Sequence, residues 1–409
     1  MSVAEPMVEG VPWHAPSRSN LDGLFSARVR AGVGAALADA EGSVVFDAPP
    51  VGRWTLTLTD GRVRLTRGGV RRPAAVVAAD PAALTAVLEG TTCGVQAFLD
   101  GGICVRGNLA LALQIDGAFD VGERPVEFPR AGFADVAGVR TAYLEAGPRD
   151  APPIVLLHGL GATNASMLPL LTDLARDHRV LAPDTPGFGA SAAPRWRYSA
   201  AELGTWVLAF QRTLGADPAV LIGNSLGGRM AIETGLLAPD SVRALVLLCA
   251  SPAFRRMRQL VPAVRLVSPE LGRLPFWLHH RLVVESIRSM FAEPGRLPRA
   301  WYDAAADEFR RVMSRPAYRR SFVACLRQIY LDEAYGDSGF WERLPGLAPP
   351  ALFVWGARDR LVPARFAHYI SEALPQSVST VLPDCGHVPQ FEHPLATLEL
   401  VRDYLGELG

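Results

Sequence analysis

Residues 219–228 read AVLIGNSLGG, an apolar run that ends in Gly-Asn-Ser-Leu-Gly. From Gly228 to Leu237 the spacing turns helical. A strand, a tight turn and a helix in direct succession form the setting of a nucleophile elbow. Such a turn holds Ser225 in a strained backbone conformation with its hydroxyl exposed. The flanking glycines leave room where side chains would collide. The alternative is a glycine-rich strand–helix turn that merely contains a serine, and residues downstream bear on that choice.

Leu352-Phe353-Val354-Trp355-Gly356 reads as a buried strand, and the loop after it carries Asp359. A second apolar strand, 378–382, ends in Pro383-Asp384-Cys385-Gly386-His387. These residue types suit one chemistry. A serine hydroxyl is a weak nucleophile until a base takes its proton. Histidine titrates near neutrality, so it can take that proton and later return it to a leaving group. A carboxylate fixes the imidazole tautomer and stabilises its charged form. Ile154 to Leu157 forms another buried run, entering His158-Gly159-Leu160-Gly161. A backbone N–H there, with that of Leu226, is suited to hold a developing oxyanion.

The chain order Ser, Asp, His and five motifs support a resemblance. They are HGLG at 158–161, DTPGFG at 184–189, GNSLGG at 223–228, WGARDRLVP at 355–363 and GHVPQFEHP at 386–394. From about residue 133 to 409 the chain resembles α/β-hydrolase-fold enzymes. The resemblance implies Ser225 as nucleophile, Asp359 as triad acid and His387 as base, with Leu160 and Leu226 as oxyanion N–H donors. It implies that His158 shapes its turn. His393, in a Glu-His-Pro segment, is expected to start the last helix, and Asp384, three residues before His387, is too local to orient the ring from behind and reads as a loop acid. Some relatives carry the acid after the strand that follows the elbow helix. Here that strand, 244–248, ends in Cys249-Ala250-Ser251-Pro252, without a carboxylate. A serine at the elbow argues against the dehalogenase and epoxide hydrolase relatives, which use an aspartate. GNSLGG is close to the wording of C–C bond hydrolases of ring-fission products and also occurs in esterases and thioesterases. Those C–C hydrolases often place Trp after the histidine, where this chain has Val388.

Residues 20–122 differ in character. Trp54 to Thr59 alternates apolar and polar, Asp60-Gly61 follows, and Arg62 to Thr66 resumes. This pattern predicts a hairpin. A further strand is expected at 74–79 and a helix at 82–88, with Asp80 as cap and Pro81 at its first position. The run from Pro73 to Phe119, with AFLDGG at 97–102 and Gly107-Asn108, resembles the sterol carrier protein type 2 family. The resemblance implies an α+β module for a sterol or fatty acyl ligand. A domain that only packs or dimerises is the alternative, since apolar faces are first of all core.

The expected organisation is an arm at 1–19, the sterol-carrier-like module at 20–122, a linker at 123–132 and the hydrolase domain at 133–409. A helical cap is expected at about 252–349, closing the pocket from water. Arg255-Arg256-Met257-Arg258 suits contact with anionic lipid heads or an acyl-CoA phosphate; a solvated helix face is the alternative. All 41 basic residues are arginine. The absence of lysine removes Schiff-base and P-loop chemistry. Zero net charge gives no reason to expect nucleic acid. Five cysteines without metal spacing suit a reducing cytoplasm. No signal peptide or membrane span is expected, and no metal or cofactor. The leading expectation is a serine hydrolase of a lipid-like ester or thioester. C–C bond hydrolysis of a ring-fission product in aromatic or steroid breakdown is the second. The third is a lipid-binding protein with an inactive hydrolase half.

Overall fold

The Asp60-Gly61 pair turns the chain as its composition predicts. β2 (Gly52–Thr59) and β3 (Arg62–Arg67) pair antiparallel with Thr59 opposite Arg62. Asp60 and Gly61 both take positive φ, 50° and 69°, the turn whose twist matches its strands. Alternation sends Trp54, Leu56 and Leu58 inward. The computed structural model describes residues 18–31, 37, 40–118, 125–253, 261–275 and 277–408. Most of the expected arm, the start of the expected linker and the Arg255–Arg258 cluster lie outside them.

The amino-terminal sheet has the order β3-β2-β1-β4-β5, with β1 at Gly42–Ala48, β4 at Ala75–Ala79 and β5 at Ile103–Gly107. β1 pairs parallel with β4. Sequence reading passed over β1, because Val44-Val45-Phe46 is a short continuous apolar run without alternation. The Asp80 carboxylate accepts from the N–H of Ala82 at 2.8 Å and caps the helix Pro81–Glu89. Helices Gly94–Leu99 and Leu109–Ala118 complete this part. A helix at Arg18–Ala31 starts two residues inside the span read as an arm. Its Phe25 ring lies 5.1 Å from Phe46 and 5.2 Å from Trp54.

The second sheet contains β6 (Arg130–Val136), β7 (Val139–Ala146), β8 (Pro153–Leu157), β9 (Arg179–Pro183), β10 (Ala219–Asn224), β11 (Val242–Leu248), β12 (Ala351–Gly356) and β13 (Val378–Leu382). Its order is β13-β12-β11-β10-β8-β9-β7-β6. From β9 to β13 all pairings are parallel. β7 pairs antiparallel with β6 and β9. β6 begins at Arg130, within the expected linker. Strands covered on both faces read as continuous apolar runs, as β10 and β12 do. Ile154, Ile222, Val246 and Val354 face one layer, and Val155, Leu221, Leu247 and Phe353 the other. The first of these layers is continuous with the interior of the amino-terminal module. The sheet order reverses between β8 and β10, and such a reversal opens a crevice at the strands' carboxyl ends.

Helices 280–288, 299–313 and 316–331 are the longest described in the segment between β11 and β12. Helix Arg299–Met313 also meets the amino-terminal module. Asp307 Oδ2 accepts from Arg106 Nε at 2.6 Å and from the N–H of Gly107 at 3.1 Å.

At Gly227, beside the elbow, a Cβ would lie 2.1 Å from the Leu157 carbonyl oxygen. Both groups are backbone in packed elements, so neither can yield cheaply. Gly227→Ala is expected to destabilise the protein by about 3 kcal/mol or to prevent folding. The midpoint of urea unfolding checks this; an unchanged midpoint would contradict the close packing.

Candidate active site

β10 ends at Asn224, and Ser225 follows with φ 54° and ψ −114° before the helix Leu226–Leu237 begins. A positive φ at a non-glycine residue is strained and persists only when surroundings fix it. Here the Ser225 N–H donates to Leu248 O at 3.0 Å, while its carbonyl accepts from the N–H groups of Arg229 and Ser251 at 3.1 and 3.0 Å. Leu226 opens the helix, so its N–H is among those that helix geometry leaves without an intrahelical acceptor. The His158-Gly159 loop lies against this turn: a Cβ on Gly159 would be 3.3 Å from Ser225 Cβ.

Asp359 lies in the loop after β12 and is buried. Its Oδ1 accepts from the N–H groups of Leu361 and Val362 at 2.7 and 2.9 Å. Its Oδ2 is 2.7 Å from His387 Nδ1. The carboxylate is thus fixed by two backbone donors, and a charge-assisted contact of this length orients the imidazole. The loop holding His387 is itself tied down. Its N–H donates to Met290 O at 2.8 Å, and its carbonyl accepts from Asn224 Nδ2 at 3.0 Å.

Ser225, His387, Leu160 and Asn224 border one cavity of about 890 Å³. Its wall is mainly aliphatic and aromatic, with Val283, Ile287, Phe309 and Phe322 from the segment between β11 and β12. The arginines on the wall, Arg360 and Arg365, are exposed. An apolar chamber of this size, with a few polar groups converging at one place, suits a small-molecule site.

Residues 152–394 match the alpha/beta hydrolase fold family and residues 25–120 the SCP-2 sterol transfer family. The chain belongs to the alpha/beta hydrolase fold family. It is 28% identical to a 2-hydroxy-6-oxo-6-(2'-aminophenyl)hexa-2,4-dienoic acid hydrolase of Metapseudomonas resinovorans, over 64% of this chain and 86% of that protein. It is 27% identical to a 2-hydroxymuconate semialdehyde hydrolase of Pseudomonas sp. strain CF600, over 69% and 96%. Among solved structures it is similar to a bacterial membrane phospholipase A, at 24% identity and a TM-score of 0.58, over 69% and 87%.

Within this alpha/beta hydrolase fold the other candidate residues separate by position. His158 is buried, and burial pushes its pKa down to about 4. Its Nε2 accepts from the N–H of Thr185 at 2.9 Å and its Nδ1 is 2.8 Å from Gly159 O. Asp384 pairs with Arg358 at 2.7 Å on the surface. His393 precedes the helix Pro394–Glu407, with Nε2 3.0 Å from Asp384 O.

Two residues near the site escaped sequence reading. The Glu392 carboxylate accepts from the N–H groups of Gly386 and Ala292 at 2.9 and 2.7 Å. It thereby joins the histidine loop to residues before helix Arg299–Met313. The Glu-His-Pro spelling of its segment gave no sign of this. Cys249, at the end of β11, groups with Asp359 and His387 so that their ligand-capable atoms all lie within 4.8 Å. Burial first, and then the Asp359 charge, push its thiol pKa well up, so it stays neutral.

Asp184, in the loop after β9, accepts from the N–H groups of Asn164 and Ala190, both at 2.8 Å. Burial outweighs these donors and pushes its pKa up to about 7. The unfolded value is about 3.9, so the folded state binds the proton more tightly. The stability this contributes is complete below about pH 4 and is lost as pH rises to about 7. Wild type should therefore lose stability relative to Asp184→Asn between pH 5 and pH 8, measured as the difference in Tm. A constant difference, or one of opposite sign, would show that Asp184 is ionised throughout.

Proposed function

We propose that the protein is a serine hydrolase of apolar, lipid-like esters or thioesters. One observation carries this reading: Ser225 and an Asp359-oriented His387 border the same large apolar cavity. Ser225 Oγ attacks the substrate carbonyl carbon while His387 Nε2 takes its proton. Asp359 holds the other ring nitrogen and stabilises the imidazolium. The N–H groups of Leu160 and Leu226 receive the developing oxyanion. The imidazolium then protonates the departing alcohol or thiol, leaving an acyl-enzyme on Ser225. Water attacks that ester with His387 again as base, and Ser225 is regenerated.

The cavity wall supports the substrate class. Its interior suits a hydrocarbon chain, and exposed Arg360 and Arg365 suit an anionic head group. A second reading, C–C bond hydrolysis, has the two named ring-fission-product hydrolases in its favour. Turnover of a 2-hydroxy-6-oxodienoate, followed by loss of its conjugated absorbance, against a p-nitrophenyl alkanoate separates the two.

A fluorophosphonate should attach to Ser225 alone. Ser225→Ala should lower kcat on a p-nitrophenyl ester by about 10³-fold or more. Asp359→Asn keeps an oxygen for the Leu361 and Val362 N–H groups, so it should fold, yet lose about 10³-fold in kcat through the wrong His387 tautomer. Asp384→Asn should do far less. Reversed effects at 359 and 384 would remove Asp359 from its role. A wild-type protein that takes no phosphonate would favour a lipid-binding protein with an inactive hydrolase half.

We also infer that the segment between β11 and β12 rests on an anionic lipid surface. Leu266 and Trp277 are 85% and 84% exposed, with Leu271, Leu274 and Leu282 exposed nearby. Isolated exposed leucines are ordinary, whereas a run of them around a tryptophan marks an interaction surface. Leu282 also borders the cavity, so the patch adjoins its mouth. Exposed Arg265 and Arg281 supply positive charge on the same stretch. No described helix is long and apolar enough to cross a membrane. Leu266→Ser/Trp277→Ser should weaken sedimentation with phosphatidylglycerol vesicles about tenfold. Equal binding by the variant, or equal binding to neutral vesicles, would exclude this contact.

A further inference from the structure

The amino-terminal module reaches the catalytic cavity. Phe98, at the end of helix Gly94–Leu99, and Leu109, at the start of helix Leu109–Ala118, both border it. Both are buried, so the cavity is where their side chains meet open space. The two helix ends that present them are held from the other domain. Trp301 Nε1 donates to Phe98 O at 3.1 Å, and Glu308 Oε2 accepts from the Leu109 N–H at 3.2 Å. Trp301 and Glu308 are two turns apart on helix Arg299–Met313, on one face. The Phe98 ring stacks on Trp301 at 6.0 Å, and Trp301 meets Phe391 edge-on at 5.5 Å. Phe391 follows the His387 loop and borders the same cavity. An aromatic row therefore runs from the module to the loop of the proposed base.

The Glu308 carboxylate is not free to act on substrate. It also accepts from Arg311 Nε and Nη2 at 2.8 and 2.6 Å, which compensates its charge where it is buried. Its structural effect is to fix Leu109 through the backbone, while Asp307 fixes Gly107. A carrier module that delivered ligand and withdrew would have to break these bonds and the Phe98–Trp301 stack at each cycle.

We propose that the amino-terminal module is a permanent wall of the catalytic cavity, and that Phe98 and Leu109 set the size of the apolar group accepted there. This rests on the serine-hydrolase reading. The group in question is the hydrocarbon part of the substrate, an acyl chain or an alicyclic equivalent, because this stretch of wall is aliphatic and aromatic. The module's apolar ligand and the hydrolase's substrate would then be one molecule.

The test uses the full-length protein and p-nitrophenyl esters from acetate to palmitate. Phe98→Ala opens the wall, and Leu109→Phe fills it. Phe98→Ala should raise the ratio of kcat/KM for the long over the short ester by about fourfold or more, the worth of one buried methylene. Leu109→Phe should lower that ratio by a similar factor. Opposite shifts are the signature of a wall, since general loosening moves both variants the same way. Same-direction shifts accompanied by a lower Tm would overturn the proposal. So would unchanged ratios in both variants. If Leu109→Phe does not fold, Leu109→Met replaces it and is expected to leave the ratio between those of wild type and Phe98→Ala; a ratio outside that range counts against the wall. A wild type that hydrolyses no ester and takes no phosphonate on Ser225 would sink the serine-hydrolase reading and this inference with it. Ester turnover with unchanged ratios would sink this inference alone.

Discussion

Helix Leu226–Leu237 can leave β10 as sharply as it does because Gly223 and Gly227 carry no side chain. A Cβ at Gly223 would meet the Gly227 carbonyl carbon at 2.4 Å, and one at Gly227 the Leu157 oxygen at 2.1 Å. The helix start is thereby pressed against the ends of β8 and β10. Ser225 is left at positive φ, and the Leu226 N–H at the helix's unsatisfied end. The loop after β8 is brought alongside. The other contributions reach the same place because parallel strands deliver their following loops to one edge of the sheet. β12 brings Asp359 and β13 brings His387.

What surrounds this edge ties it to the segment between β11 and β12. Met290 O receives the His387 N–H, and Glu392 accepts from both Gly386 and Ala292. The histidine loop and the roof above it therefore share backbone bonds. Burial raises the Glu392 pKa, and three backbone donors at Ala292, Gly386 and Val388 work against that shift. On the far side, Glu233 of the elbow helix is buried and takes a bidentate contact from Arg343 at 2.7 and 2.9 Å. Arg229 pairs with Glu233 at 2.9 Å and with Asp332 at 2.7 Å. The planar fork of Arg343 meets both Glu233 oxygens at once, while burial lowers the Arg229 pKa against the two carboxylates beside it. In a chain whose cations are all arginine, these pairs join the elbow helix to the roof, and Arg106 and Asp307 join the roof to the amino-terminal module.

The amino-terminal module is thus bound into the enzyme at three levels. Its core is continuous with one layer of the large sheet. Its helix ends are held by Trp301 and Glu308. Two of its side chains face the cavity. Residues 25–120 match the SCP-2 sterol transfer family, and the docking of this module sets Phe98 and Leu109 against the cavity. The arrangement places an apolar wall directly beside the groups that would cleave an ester.

Local chemistry made much of this legible in the chain itself. The Asp60-Gly61 turn, the Asp80 cap and the strand–turn–helix around Ser225 each rest on neighbours within a few residues, where a side chain's shape and donors act directly. Ser225 and Asp359 follow continuous apolar runs, as buried parallel strands read, whereas β13 before His387 is a mostly exposed edge strand with Ser379 and Thr380 inside it. β1 was missed because Val44 to Phe46 is so short an apolar run that, without alternation, it does not tell strand from helix. Phe98, Leu109, Glu308, Glu392 and Cys249 look like ordinary core, cap or surface residues in sequence. They acquire their places only through contacts across large separations, as between Leu109 and Glu308 or between Ala292 and Glu392. Periodicity and spacing report which face of an element is apolar. They do not report which other element will cover it, and that pairing was decided by tertiary packing alone.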